Sequence, residues 1–202
     1  METIEETRRR YVQDIYQPYT AVSASDYEQL VKSTPGLCIH KVKAYMNYEK
    51  NLVEVAVKPY SLDRFPVLSR DYRRLMRSRL EDCRLLSTRI EILQPVYLPV
   101  QVRCVVYVKK HYDHCREQIE QLLRKELDYI NGDQEFGQPV SFDTIFRKLE
   151  RLECVSQVYD LSLTPKNRTL ATVRGADIIP KVNALCYPGD VLLEIHTQDT
   201  EG

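Results

Sequence analysis

Residues 141–166, SFDTIFRKLERLECVSQVYDLSLTPK, change their apolar period partway along. Phe142, Ile145, Phe146, Leu149 and Leu152 recur at helical spacing, with Ser141 placed to accept a hydrogen bond from the first turn. Tyr159, Leu161 and Leu163 then recur at every second residue, the period of a strand. A capped amphipathic helix therefore feeds a strand, with Phe146 expected where helix meets sheet. Truncating a buried aromatic there to alanine would cost about 3–5 kcal/mol. A weaker copy of the plan lies 116 positions earlier, where Ser25, Leu30, Ile39 and Val42 stand over Ser141, Phe146, Val155 and Val158.

Upstream of this unit, residues 100–108 carry the most regular alternation in the chain. Val100, Val102, Cys104, Val106 and Val108 line one face, and Val105 and Tyr107 make the other partly apolar, as in a central strand. A long helix over 114–130 follows, with Cys115, Ile119, Leu122, Leu123, Leu127 and Ile130 on one side. The second module then reads β-α-α-β. Beyond Pro165 a polar, loop-like stretch runs to Gly175. Residues 176–185 and 191–196 flank Tyr187-Pro188-Gly189-Asp190, where Pro-Gly signals a turn, so the tail ends as a hairpin or as a strand added to a sheet.

The first module opens with a short helix over 26–33, turning Tyr27, Leu30 and Val31 inward and stopped by Pro35-Gly36. Strands over 37–46 and 52–58 follow, joined by a polar turn. The helix over 68–83 is expected to bury Leu68, Tyr72, Leu75, Met76, Leu80 and Cys83, and a strand over 88–93 closes the module before Pro95 and Pro99. A leading strand over 16–22 would make this order ferredoxin-like. The expected fold class is α+β: two linked small α/β sandwiches, the first ferredoxin-like and the second β-α-α-β, with a C-terminal β-hairpin tail. The boundaries are an arm over 1–20, modules over 21–96 and 97–165, and a β tail over 166–202.

Charge and cysteine usage narrow the function. Twenty-nine basic and twenty-nine acidic residues cancel, leaving no net field to gather nucleic acid, anionic lipid or acidic substrates. Cys38, Cys83, Cys104, Cys115, Cys154 and Cys186 stand singly, mostly on apolar faces, as buried free thiols in a reducing compartment would. The N-terminus lacks the apolar core of a signal peptide, and no run approaches the ~18 apolar residues of a membrane span, so a cytoplasmic protein is expected.

Chemistry-bearing groups are sparse. His111, His114 and Cys115 alone have ligand spacing for zinc, but Cys115 falls on the apolar stripe of its helix, and no bound metal is expected. No glycine-rich phosphate loop, G-x-S-x-G or H-E-x-x-H occurs, so neither a cofactor nor a catalytic set is expected. Tyr11, Tyr16 and Tyr19 lie in the polar arm and read as contact residues; Arg8, Arg9 and Arg10 beside them fit a solvated helix end. Arg70, Arg73, Arg74 and Arg77 form a stripe on one helix. It is either a solvated face or a docking surface for an acidic neighbour, since four arginines without a lysine suit bidentate pairing.

Several stretches, in order, resemble baseplate J-like proteins of contractile phage tails. Tyr19-Thr20-Ala21-Val22-Ser23-Ala24-Ser25-Asp26-Tyr27-Glu28-Gln29-Leu30 before Pro35-Gly36 is similar to that family's "AVTAEDYEAL" helix before a "GV" strand. Residues 100–108 resemble its alternating-valine strand, Phe136-Gly137-Gln138-Pro139-Val140-Ser141 its "FG-x-x-V" lead into a helix, and Cys154-Val155-Ser156-Gln157-Val158 its "GV-x-x-V" strand. Ala176-Asp177-Ile178 with Asn183-Ala184-Leu185-Cys186-Tyr187-Pro188-Gly189 is similar to its terminal "PNALPYLG". Three departures stand out: Cys154-Val155 replaces the family's "GV", Leu185-Cys186-Tyr187-Pro188-Gly189 replaces its "LPYLG", and the family's N-terminal portion has no counterpart, so the chain resembles the C-terminal half. The resemblance implies a non-enzymatic wedge subunit that dimerises, joins other wedge or sheath-proximal proteins and closes a ring around the tail hub. It implies assembly in the bacterial cytoplasm and residence in the baseplate of a phage, tailocin or related injection particle, with no nucleic-acid, membrane or small-molecule partner. The competing reading is a ferredoxin-like adaptor or regulatory domain binding a partner or small ligand.

Overall fold

The structure of the chain, a computed structural model, describes residues 4–5, 20–109 and 114–197. It is α+β and divides into two compact units, Met1–Pro95 and Val96–Gly202.

In the first unit, α1 (Ala24–Lys32) leads to β1 (Ile39–Asn47) and β2 (Leu52–Pro59), then α2 (Arg70–Glu81) and β3 (Arg89–Leu93). Ser23 and Asp26 form a reciprocal capping box at the start of α1. The Asp26 carboxylate accepts the backbone N–H groups of Ser23 at 2.8 Å and Val22 at 3.0 Å, which holds its pKa below the ordinary value. Gly36, at φ +79°, supplies the left-handed residue that turns the chain into β1. The sheet order is β1-β2-β3, antiparallel then parallel. A ferredoxin-like sheet would seat a leading strand between the last two of these, which here pair directly. Most of residues 16–22 lies outside the described residues; Ala21 makes a single parallel bridge to Arg84. Tyr27, Leu30, Val55, Met76 and Leu80 fill the core, whereas Leu75, expected inside, is 43% exposed. It sits one residue too far round α2 to share the face of Met76 and Leu80.

The second unit is built on β4 (Val96–Val108), which has β5 (Val155–Pro165) antiparallel on one side and β8 (Ala184–Thr197) parallel on the other. Between β4 and β5 come α3 (Cys115–Leu127), which packs on β8, and α4 (Phe142–Glu150), which packs on β5. Val100, Val102, Cys104 and Val106 are buried in β4, as are Ile119, Leu123, Ile145 and Leu149 on the helices. The polar stretch after Pro165 contains β6 (Ala171–Arg174), which forms a hairpin with β7 (Asp177–Pro180) around Gly175 at φ +64°. This hairpin fixes the start of α4. Asp177 Oδ1 accepts the Phe142 N–H at 2.8 Å, and Val140 and Ile178 exchange two backbone bonds of 2.8 and 3.1 Å.

Tyr187-Pro188-Gly189-Asp190 is not a turn. It runs inside β8 at a one-residue bulge, where Pro188 stands opposite Val100 and Val191 opposite Val102. β8 ends the sheet, so the N–H that Pro188 lacks need not be missed by the ladder. At Gly189 a Cβ would lie 3.1 Å from the Val100 carbonyl oxygen, so a side chain there would have to push back, by a few tenths of an ångström, a backbone held from both sides. The other half of the expectation, a strand added to a sheet, describes β8.

The two helix–strand units share a plan with a shift. α1 and α4 have nine residues each, with serine N-caps at Ser23 and Ser141. Ser23, not Ser25, is thus the counterpart of Ser141, and the buried pairs Tyr27/Val31 and Ile145/Leu149 follow that alignment. The strands keep the original one, because the connection into β1 is longer by two residues. Phe146 is accordingly half-buried and stacks on Phe142 at 5.7 Å outside the central packing. Leu149→Ala is expected to cost about 2–5 kcal/mol and Phe146→Ala no more than about 1.5 kcal/mol in urea denaturation. Equal losses would put Phe146 back in the core.

Candidate functional site

The clearest recess among the described residues of the first unit lies on α2. Ser69 caps this helix by accepting the Tyr72 N–H at 3.1 Å. Just before it, the Gln94 amide accepts the Leu68 N–H at 2.9 Å and donates to the Leu68 carbonyl at 3.0 Å, tying the start of α2 to the end of β3. Met76 and Leu80 face the core, which leaves Arg70, Arg73, Arg74 and Arg77 on the exposed side. Their spacing puts them along one flank over two turns. With Ile92 of β3 they line a shallow recess of about 330 Å³.

Arg74 lies 3.3 Å from Asp71 in a largely exposed pair, which solvent screening makes weak. Arg70, Arg73 and Arg77 have no carboxylate partner among the described residues. The four arginines read from the sequence as one stripe are thus brought together. Tyr11, Tyr16 and Tyr19 lie outside the described residues, as does His111. His114 pairs with Glu117 at 3.1 Å and Cys115 is buried; no group of three His, Cys, Asp or Glu poised for a metal occurs among the described residues.

Three of the buried thiols, Cys104, Cys115 and Cys186, are chemically quiet. Burial pushes Cys104 up to about 11 and Cys186 up to about 12. Cys115 rises to about 12 through burial and its contact with Cys154. Protonated and inaccessible, they are poor nucleophiles.

Three surface features escaped the sequence. Arg84 clamps the loop after α2, donating from Nη1 to the carbonyls of Leu85, Leu86 and Thr88 while pairing through Nε with Glu81. Leu86 is left fully exposed at its tip. Tyr107 lies between Tyr159, at 6.1 Å, and His196, at 5.4 Å, so an aromatic row crosses all three strands of the second sheet. His40, the extra residue of a bulge in β1, has its Nδ1 2.9 Å from Nζ of the buried Lys58. The Arg84 clamp is made within four residues of the arginine, whereas the aromatic row and the His40–Lys58 contact depend on which strands are neighbours, which no local pattern announces.

No protein-family model matches the sequence, and no curated protein matches it. In structure, the chain is similar to a chain of the "Cryo-EM structure of the anti-feeding prophage (AFP) baseplate, 6-fold symmetrised", with a TM-score of 0.61 and 16% identity. The likeness covers 96% of this chain and 42% of that one, so this chain spans less than half of the neighbour's length. At this identity the likeness is one of fold.

The His40–Lys58 contact has a pH signature. The partial burial of the ring, then the charges of Lys58 and Lys41, hold its pKa below the ordinary 6.5. The unfolded chain therefore takes up this proton first as pH falls, so its contribution to stability is present above about 6.5 and lost on the acid side, through the folded pKa. Urea midpoints should fall less steeply from neutral to mildly acid pH in His40→Gln than in the native chain; parallel profiles would contradict this.

Proposed function

We propose that the chain is a structural subunit of the baseplate of a contractile injection particle and acts by protein–protein assembly. The observation that carries this is the fold shared over 96% of the chain with a chain of the anti-feeding prophage baseplate. The ordered sequence resemblances over residues 19–195 support the same class of protein, and the finer reading follows from them. In that reading the chain occupies a baseplate wedge, pairs with a second copy of itself, and joins wedge and sheath-proximal proteins. It is assembled in the cytoplasm of the producing bacterium and then held in the particle, whether phage tail or tailocin. An arm over 1–20, carrying Tyr11, Tyr16 and Tyr19, and the Arg70–Arg73–Arg74–Arg77 face are its contact regions.

A non-catalytic role is part of this reading; burial raises the pKa of the Cys104 and Cys186 thiols, and the recess is lined by four arginines and Ile92. The resemblance to half of a longer protein makes ring closure by this chain alone a separate matter from joining the wedge.

The test is light scattering of the purified chain followed by pull-down from the particle-producing cell, with captured proteins identified by mass spectrometry. A dimer that captures tail proteins is expected, with capture weakened by removing residues 1–20 or by Arg73→Glu with Arg77→Glu. A strict monomer that captures no tail protein would defeat the baseplate reading, and binding of a small ligand by that monomer would favour a regulatory domain.

A further inference from the structure

We propose that the open edge of β3, flanked by the arginines of α2, is a docking slot for an extended acidic segment of a partner protein, which joins the first unit's three-stranded sheet as a fourth strand. The proposal rests on the assembly role above for the source of that segment. Its physical basis lies wholly within the first unit.

β3 ends the sheet and pairs only with β2 among the described residues. The Arg89 N–H donates to the Asn51 carbonyl at 2.7 Å, which turns the backbone of Arg89 toward β2. By strand alternation, Glu91 and Leu93 turn the same way, and Ile90 and Ile92 present their N–H and C=O groups to the open edge. An edge of this kind is a template for another chain. Here it is not bare: Ile92 forms part of the recess whose other walls are Arg70, Arg73, Arg74 and Arg77. The paired bonds between Gln94 and Leu68 hold that wall at a fixed place beside the edge.

The dimensions match. From Arg70 to Arg77 the helix rises about 10 Å, which is the length of about three residues of an added strand. Alternate side chains of that strand would point toward α2, so two carboxylates at positions i and i+2 would meet the guanidinium row. Planar guanidinium groups pair with carboxylates through two bonds, and only Arg74 has a carboxylate neighbour within the described residues. Single-stranded nucleic acid fits less well, because the recess has no aromatic side chain on which a base could stack.

Fluorescence anisotropy with the full chain tests this, using a short labelled peptide that alternates valine and glutamate. Saturable binding is expected, weakened about tenfold by Arg73→Glu with Arg77→Glu. The peptide N-methylated at the amides that would face β3 should lose a similar factor, and a valine–lysine peptide should not bind. Failure of the intact chain to bind the acidic peptide would overturn the proposal. Equal binding of the N-methylated peptide would reduce the slot to charge attraction, and tighter binding of labelled single-stranded DNA would replace the peptide partner; either result also overturns it. Peptide binding without capture of tail proteins would keep the slot and remove the baseplate source, whereas capture without peptide binding would do the reverse.

Discussion

β4 is hydrogen-bonded along both edges, and the second unit is arranged to satisfy that demand. A strand with apolar residues at Val100, Val102, Cys104, Val106 and Val108 needs cover on one face and partners for its backbone on both sides. β5 supplies one edge in the antiparallel sense. The other is filled by β8 running parallel, and parallel neighbours require a long crossover. Everything from α3 through the β6–β7 hairpin lies within that crossover. Pro188 and Gly189 are what it costs to keep β8 alongside: a bulge that absorbs one residue and a site where a side chain would press on the Val100 backbone.

How much of this was legible depends on how local each cause is. The α4–β5 unit could be read because cap, helical stripe and alternation are neighbours in sequence. Central placement of β4 was legible from its two apolar faces. The Pro-Gly pair misled because turn chemistry is a local preference, and the sheet edge on which β8 lies overrode it. Phe146 misled for a finer reason: Ile145 and Phe146 both fit an apolar stripe, and packing against β5 selected Ile145 and Leu149. Ser25 resembled a cap, but the reciprocal bonding of Ser23 with Asp26 places the helix start two residues earlier.

The candidate site divides along the same line. Four arginines at helical spacing are visible in any reading of residues 70–77. What they border is not, because the openness of β3 follows from a sheet order that includes β1 and β2, tens of residues away. The same is true of His40 and Lys58, which meet only because β1 bulges opposite β2. Exposed arginines on α2, an exposed apolar loop tip at Leu86 and an aromatic row from Tyr159 to His196 are the surface groups on which the proposed assembly role draws.

The most direct measurement of that claim is electron microscopy of intact particles from the producing cell, with gold-labelled antibody against this chain. The account predicts label confined to the baseplate end of the tail, in particles from cells that make the chain and absent when it is deleted. Label along the sheath, or particles that assemble fully and carry none of the chain, would contradict it.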